Sequence, residues 1–310
     1  MKKKFIGFIC LIGFVLIITF FMIAPSIKSI GGDEYIIGAH RGNSQDYIEN
    51  TLSALKSAAE EPKYAFIEFD VQYTKDKVLI VFHDKSLLRL QKKSQKIEDL
   101  TYAELLNITS YKIPTYQEVM DEIAHKKPLN IEIKSRGNQE DDENIADDII
   151  SDLQNRGIIK STLISSGSKD LLIYINRFYN NPNYKNNFIQ ENKFYPGYLN
   201  IDTGLVYWVT TSTFVDFDTF TSRVFSELEK TQADYLMLHG SNLRNYESLK
   251  KLKSENVTLV FWYFNDEMYL IEPKAKQWVF KLKPPIISKG FSKEMSNDMS
   301  QSKICKLWWC

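Results

Sequence analysis

Acidic side chains alternate with apolar ones in two short runs of this chain. One run contains Glu68 and Asp70, and the other, residues 130–134, contains Glu132 and Lys134. Because alternate side chains of a strand point to the same face, we expect the three carboxylates to share the inner face of a sheet. Crowded carboxylates repel one another unless a cation neutralises them, and an all-oxygen ligand set suits a hard ion such as Mg²⁺ or Ca²⁺. The pattern therefore predicts a divalent metal site formed by Glu68, Asp70 and Glu132.

Two of the four histidines lie where they could serve acid-base chemistry. His40 ends the first predicted strand, and His83 closes a later one beside Asp84. Two histidines near a metal-bound phosphodiester supply a base for the attacking hydroxyl and an acid for the leaving oxygen. His239 follows another strand and is a weaker candidate for lining the same mouth. His125 ends a helix beside two lysines, where a cation complements the helix dipole, and we expect no catalytic role for it.

Further residues near these histidines favour an anionic ligand. Arg41 offers a planar fork that suits a phosphate. Gly42 allows the backbone to turn close to a ligand. Residues 50 and 51 begin a helix, whose free N–H groups and positive dipole end favour an anion nearby. Trp262 lies in an apolar run and is either plain core or the apolar wall of a small substrate pocket.

Short apolar runs alternate with longer amphipathic runs over most of the chain. Such alternation indicates a parallel sheet with helices packed on it. About 250 residues and seven or eight strand-helix units favour a closed (β/α)8 barrel of the TIM type, which carries its active site at the C-terminal ends of the strands. The predicted strands are 35–39, 65–71, 129–134, 162–165, 234–239 and 257–264, and the predicted helices are 50–60, 115–125, 143–156, 168–179 and 243–255.

One segment breaks this alternation. The run 78–83 follows the Glu68 strand after only four residues, whereas a parallel crossover needs a dozen or more, so we predict an antiparallel hairpin on the barrel rim. Residues 85–112 then form a small excursion with one short helix over 97–106. The stretch 181–231 has no dominant period, and its one predicted strand lies near 198–201.

Composition narrows the possible partners. The chain has 310 residues, of which 44% are apolar, and its 39 basic residues balance 39 acidic ones. A neutral chain offers no electrostatic reason to bind a nucleic acid, whose partners normally carry a basic surplus. The three cysteines lie at positions 10, 305 and 310, so the body of the protein contains no disulfide and no thiol nucleophile.

The N-terminal segment is typical of a membrane anchor. Residues 5–24 are apolar except for one threonine, follow three lysines and precede a proline. This length spans a bilayer, whereas the apolar region of most cleavable signal peptides is shorter. In this chain no clear cleavage site follows the apolar stretch. Because the lysines hold the N-terminus in the cytoplasm, we expect a single-pass type II protein with its catalytic domain on the extracytoplasmic face. The predicted organisation is an anchor over 1–28, a barrel over 33–290 and an atypical tail over 291–310.

Together these runs resemble the glycerophosphodiester phosphodiesterase family. The family has a His-Arg-Gly turn, then Glu-Asn-Thr, Glu-x-Asp-Val, Thr-Lys-Asp, a His-Asp pair and Asn-Ile-Glu-Ile-Lys. The matching runs occur in the same order as His40-Arg41-Gly42, Glu49-Asn50-Thr51, Glu68-Phe69-Asp70-Val71, Thr74-Lys75-Asp76, His83-Asp84 and Asn130 to Lys134. The family's tryptophan followed shortly by asparagine corresponds to Trp262 and Asn265.

The resemblance implies a metal-dependent barrel that hydrolyses glycerophosphodiesters to glycerol 3-phosphate and an alcohol, here as a membrane-anchored member. In the family's chemistry the glycerol 2-hydroxyl attacks phosphorus, and water then opens a cyclic phosphate. The residues carried over by the resemblance are His40 and His83 as the acid-base pair, Glu68, Asp70 and Glu132 as ligands of Mg²⁺ or Ca²⁺, Arg41 and Lys134 as phosphate-binding residues, and Trp262 facing the glycerol.

The C-terminal end departs from the family. Its usual closing strand, Gly-Val-Asp-Gly-Ile-Ile-Thr-Asp-x-Pro, is replaced by the runs 277–280 and 284–289, in which residues 286–288 resemble a remnant. Two alternatives therefore stay open beside the glycerophosphodiesterase. One is a hydrolase of polymeric glycerol phosphate or lipid head groups at the envelope, and the other is a non-catalytic anchored barrel that has lost its closing strand.

Overall fold

A computed structural model describes residues 35–182, 198–207, 217–240, 242, 249, 257–262 and 267–271. The strands are β1 (Tyr35–Ala39), β2 (Phe66–Tyr73), β3 (Leu79–Val81), β4 (Leu129–Ile133), β5 (Thr162–Ser166), β6 (Asp202–Tyr207), β7 (Tyr235–His239), β8 (Thr258–Trp262) and β9 (Glu267–Ile271). The helices are α1 (Leu52–Glu60), α2 (Leu88–Gln91), α3 (Tyr102–Ile108), α4 (Tyr116–Ile123), α5 (Gln139–Asn155), α6 (Lys169–Phe178) and α7 (Phe217–Thr231), with 3₁₀ turns at Ile97–Asp99 and Ile159–Ser161.

The strands form one curled sheet of the TIM type. Strands β1, β2, β4, β5, β6, β7 and β8 follow one another in parallel register, with helices between most of them. Strand β9 pairs antiparallel with β8 on one side and with β1 on the other. The sheet therefore curls until β1 has a partner at each edge, which agrees with the predicted barrel architecture.

The closing strand differs from the prediction. A regular (β/α)8 barrel closes with a parallel strand, of which the sequence shows only a run resembling a remnant, at residues 286–288. Instead, Glu267–Ile271 closes the sheet as the second arm of a β8–β9 hairpin. Only four residues separate these two strands, which is too few for a parallel crossover. Residues 286–288 lie outside the described residues.

The rim excursion is confirmed in outline and corrected in detail. Strand β3 pairs antiparallel with β2, with Val71 opposite Val81, as the short turn required. The single helix predicted over 97–106 was wrong, because Thr101 forms a capping box with Glu104 and starts α3 separately from the preceding 3₁₀ turn. The strand predicted near 198–201 was also wrong and lies at Asp202–Tyr207.

The interior of the barrel is apolar towards the N-terminal ends of the strands and polar towards their C-terminal ends, which form the mouth. Phe66, Leu163, Tyr235, Met237 and Val260 are buried together in one cluster inside the barrel. The residues of β2 that point the other way pack on the surrounding helices, as the alternation predicted. Phe66, Glu68 and Asp70 share one face of β2. Glu68 and Asp70 therefore lie inside the barrel beyond the apolar cluster, towards the C-terminal ends of the strands.

In the part of the chain that the structure describes, no helix has both the length and the apolar character needed to cross a membrane. The predicted anchor over 1–28 and the tail over 291–310 lie outside that part.

Candidate active site

Three carboxylates converge at the mouth because β2 and β4 are neighbours in the sheet. In their parallel register Asp70 stands opposite Glu132, and Glu68 stands opposite Asn130. Glu68, Asp70 and Glu132 each offer an oxygen, and these atoms lie within 4.8 Å of one another. Glu68 and Asp70 are fully buried, while the side chain of Glu132 is 12% exposed. The structure thus brings together the three predicted metal ligands.

The oxygens of this cluster fit a cation. Among the described residues, Glu68 Oε1 and Asp70 Oδ1 are buried and have no hydrogen-bond partner. Burial and the neighbouring charges of Asp70 and Glu132 raise the pKa of Glu68 well above its usual value. Burial would also raise the pKa of Asp70, but His83, Lys134 and Arg41 outweigh it and hold that pKa below its usual value. A divalent ion would take the place of the proton on Glu68 and bind the unpartnered oxygens.

Asn50 fixes the orientation of Asp70. Its amide nitrogen donates to Asp70 Oδ2 at 2.7 Å, and its amide oxygen accepts from the backbone N–H of Asp70 at 3.2 Å. Asn50 has φ 56°, a left-handed conformation that asparagine tolerates better than most residues. The sequence indicates this position only as the start of α1 and does not reveal its contact with the predicted metal ligand Asp70.

The turn after β1 holds Glu68 and the first histidine. The backbone N–H of Arg41 donates to Glu68 Oε2 at 2.7 Å, and His40 Nε2 lies 4.0 Å from the same oxygen. The His40 ring lies 5.8 Å from the ring of Trp262, measured between centroids. Burial, followed by the charge of Arg41, lowers the pKa of His40 to about 3, so this imidazole is neutral at physiological pH.

Gly42 has a different role from the one expected. Its φ is +79°, and a Cβ atom built on it would lie 2.7 Å from the carbonyl carbon and 2.8 Å from the carbonyl oxygen of Ala54 in α1. The glycine therefore lets the turn pack tightly against the helix backbone. This contact explains the need for glycine without any close approach to a ligand.

The second histidine is held by a chain of ion pairs. His83 Nδ1 lies 2.6 Å from Asp84 Oδ1, and an ionised Asp84 can only accept, so Nδ1 carries the proton. Arg89 donates to Asp84 Oδ2 at 2.7 Å and to Glu49 Oε2 at 2.7 Å. Glu49 also accepts from Arg41 at 2.8 Å. This chain links the two histidine segments across the mouth.

The two middle residues of that chain, Arg89 and Glu49, were not anticipated. Glu49 was recognised as part of a motif but was given no role, and Arg89 was not singled out. Burial alone would raise the pKa of Glu49, but Arg89 and Arg41 lower it to about 2. The signal that could have identified Arg89 is its position five residues after Asp84, on a short helix that immediately follows the predicted site.

The two predicted phosphate-binding cations are close to the carboxylates. Arg41 Nε lies 3.5 Å from Asp70 Oδ2. Lys134 donates to Glu132 Oε1 at 2.6 Å and lies 3.6 Å from Asp70 Oδ1. Burial opposes the charge of Lys134, but Glu132 and Asp70 raise its pKa above the usual value. Both cations thus border the cluster, and Lys134 lies beside the unpartnered Oδ1 of Asp70.

Of the two remaining histidines, His239 lies at the mouth beside Trp262 and His125 lies at the opposite end of the barrel. His239 and Trp262 stand opposite each other in the β7–β8 register, with ring centroids 4.9 Å apart in an edge-to-face arrangement. The structure therefore places the weaker candidate His239 at the mouth, beside Trp262. His125 is exposed and precedes β4, at the opposite end of that strand from Glu132.

A TIM-type barrel with three carboxylates and two histidines at its mouth has the composition of a metal-assisted phosphoester hydrolase. The sequence profile of the Glycerophosphoryl diester phosphodiesterase family matches residues 40–284, and the chain belongs to this family. The match covers all eight predicted site residues.

Individual relatives agree with this assignment. The chain is 38% identical over 111 residues to the glycerophosphodiester phosphodiesterase of Caldanaerobacter subterraneus subsp. tengcongensis, covering 32% of this chain and 45% of that protein. It is 32% identical over 138 residues to the Bacillus subtilis glycerophosphodiester phosphodiesterase, covering 37% and 47%. The chain thus spans about half the length of these relatives.

Solved structures share the fold over a larger part of the chain. A glycerophosphodiester phosphodiesterase from Thermotoga maritima is 28% identical with a TM-score of 0.51, covering 74% of this chain and 85% of that one. An Oleispira antarctica phosphodiesterase, solved with its product sn-glycerol-3-phosphate, is 21% identical with a TM-score of 0.53, covering 74% and 84%.

Proposed function

We propose that this protein hydrolyses glycerophosphodiesters to glycerol 3-phosphate and an alcohol. The observation that carries the proposal is the cluster of Glu68, Asp70 and Glu132 within 4.8 Å, with buried oxygens that lack hydrogen-bond partners in the described region. Family membership supports the substrate class. The presence of β9 removes the reason for regarding the barrel as a non-catalytic scaffold without a closing strand.

Each histidine takes one side of the phosphodiester in this proposal. His40 lies against Trp262, which we assign to the glycerol moiety, so His40 accepts the proton of the attacking glycerol hydroxyl. Its lowered pKa keeps it in the neutral, proton-accepting form. We assign the leaving group to His83, which would protonate the leaving oxygen through Nε2. Burial lowers the pKa of His83, and its contact with Asp84 opposes that effect.

The remaining residues bind and neutralise charge. Glu68, Asp70 and Glu132 are proposed to hold Mg²⁺ or Ca²⁺, which when bound would polarise the phosphoryl oxygens. Arg41 and Lys134 border the cluster and are proposed to contact the phosphate, exchanging part of their contact with the carboxylates for the substrate.

The direct test is release of glycerol 3-phosphate from glycerophosphocholine by the full-length protein in detergent, with and without EDTA. We expect activity to require a divalent ion and to be lost in Glu68→Gln. Glu98→Gln removes an exposed carboxylate outside the cluster and serves as the matched control. A rate after metal removal, or in Glu68→Gln, equal to that of the untreated wild-type protein would contradict the metal-dependent mechanism.

The histidines offer a second matched pair. His83→Ala should lower kcat by roughly 10²- to 10⁴-fold, the usual contribution of a general acid or base. His125→Ala removes a histidine from the opposite, exposed end of the barrel and should leave kcat unchanged. Similar rates for both variants would show that His83 does not transfer a proton.

We further propose that residues 5–24 anchor the protein in a membrane, with the barrel on the extracytoplasmic face. The support is the apolar length of this segment and the three lysines before it. Fractionation of cells into membrane and soluble fractions, with protease accessibility of the barrel from outside, tests this topology. Recovery of the barrel in the soluble fraction would contradict it.

A further inference from the structure

One cation at the mouth differs from its neighbours. Arg41, Arg89 and Lys134 each form an ion pair with a carboxylate. Arg136 lies two residues beyond Lys134 and is more than half buried, yet no carboxylate in the described region forms an ion pair with it. A partly desolvated guanidinium without a counter-ion is costly unless an anion binds to it.

Neutral groups hold the Arg136 side chain in place. Its Nε and Nη2 donate to Gln72 Oε1 at 2.9 and 2.7 Å, and Nη2 also donates to the carbonyl oxygen of His83 at 3.1 Å. Gln72 is buried and donates through Nε2 to the carbonyl oxygens of Phe82 and Asp84. These contacts occupy one edge of the guanidinium, and Nη1 makes no hydrogen bond within the described region.

Arg136 lies on the side of the site where His83 is found. Gln72 follows Asp70 by two residues on the same face of β2, which places it about 7 Å farther along the strand towards the outside. Arg136 binds Gln72 and the His83 backbone, so it lies outside the carboxylate cluster and on the side of His83. Under the proposed function, that is the side on which the leaving alcohol departs.

We propose that Arg136 forms a second anion subsite, which binds a negatively charged group on the leaving alcohol. This inference rests on the proposed phosphodiesterase function and extends it to a substrate class, namely glycerophosphodiesters whose leaving group carries a phosphate or a carboxylate. A further phosphate of a glycerol phosphate oligomer is one source of such a group, and an acidic head group is the other. A neutral or cationic leaving group gains nothing from this subsite.

Three soluble diesters with nearly matched leaving groups test the proposal on the full-length protein in detergent. Their leaving alcohols are glycerol, glycerol phosphate and glycerate, so only the charged group changes. We expect a higher kcat/KM for the two charged diesters than for the neutral one. A higher kcat/KM for the glycerol phosphate leaving group would indicate a phosphate ligand, and a higher value for glycerate would indicate a carboxylate. In Arg136→Gln the ratio of kcat/KM between charged and neutral diesters should fall about 10- to 100-fold, which is the range of a charge-assisted hydrogen bond.

Two further variants separate binding from other effects. Lys85→Gln removes a positive charge from an exposed position two residues after His83 and should leave the ratio unchanged. Arg136→Lys keeps the charge without the fork and should retain part of the preference. Thermal melting of each variant confirms that it is folded. An equal loss of kcat for all three diesters in Arg136→Gln would overturn the proposal, since Arg136 would then only support the His83 backbone.

Ligand-binding affinity tests the anion subsite independently of catalytic turnover. Calorimetry with glycerol 1,3-bisphosphate should show about 10-fold or more weaker binding to Arg136→Gln than to the wild type, and unchanged binding to Lys85→Gln. If the wild type hydrolyses none of the diesters, the proposed function fails, while this measurement still decides the anion subsite. Equal binding to wild type and Arg136→Gln would overturn the subsite even in an active enzyme.

Discussion

Replacing Glu49 by glutamine should destabilise the protein strongly at neutral pH. Glu49 is paired with Arg41 and Arg89, and its side chain is only 16% exposed. Its pKa falls from 4.5 to about 2 in the folded protein. A gap of about 2.5 pH units corresponds to roughly 3 kcal/mol of stability, since one unit equals about 1.4 kcal/mol. Glu49→Gln should therefore lower the free energy of unfolding by about 3 kcal/mol at pH 7.

The pH dependence of this effect has a defined sign. Because the folded-state pKa of Glu49 is lower than its unfolded-state value, its contribution is fully present above pH 4.5 and is lost as the pH falls towards 2. At pH 3.5, one unit below the unfolded pKa, about 1.4 kcal/mol of it has gone. The difference between wild type and Glu49→Gln should shrink by that amount between pH 6 and pH 3.5.

Urea denaturation of both proteins at several pH values measures this difference. Glu98→Gln neutralises an exposed carboxylate paired with Lys96 and should leave the denaturation midpoint unchanged. A constant difference between wild type and Glu49→Gln over the whole pH range would refute the reasoning. It would mean that the two arginines do not stabilise the ionised form of Glu49.

Other predictions concern residues around the proposed metal ligands. Asn50→Ala removes both contacts to Asp70 and should weaken Mg²⁺ or Ca²⁺ binding about 10- to 100-fold, measured as the loss of the metal-induced rise in melting temperature. Asn155→Ala, at the exposed C-terminal end of α5 and thus on the opposite side of the barrel, is its control and should leave metal binding unaltered. Gly42→Ala should destabilise the protein by roughly 2 kcal/mol or more, because the new methyl group meets the Ala54 carbonyl at a positive φ. An unaltered melting temperature would contradict that packing.

Alternation along single strands was enough to predict the core of the site. Glu68 and Asp70 share a face because of strand geometry alone, and their alignment with Glu132 required only that β2 and β4 be neighbours. Glu49, Arg89 and the contacts of Asn50 were missed because they lie in turns and on a four-residue helix, where no periodicity reports the direction of a side chain.

The closing strand was predictable from an argument that was applied elsewhere. Four residues between strands excluded a parallel crossover for β3, and the same spacing separates Trp262 from Glu267. Residues 286–288 were instead compared with the family's parallel closing strand, as a remnant of it. The resemblance thus identified the family, while the local spacing after Trp262 indicated where the sheet closes.

The antiparallel direction of β9 determines where the chain leaves the barrel. Glu267 pairs with Ala39 near the mouth, and Ile271 pairs with Tyr35 at the far end. The segments before β1 and after β9 therefore attach to the same face, opposite the carboxylates. A protein held at that face presents its mouth outward. If residues 5–24 span a membrane as proposed, the ten residues 25–34, at most about 35 Å long, would connect the bilayer to that face, and the mouth would open on the side turned away from it.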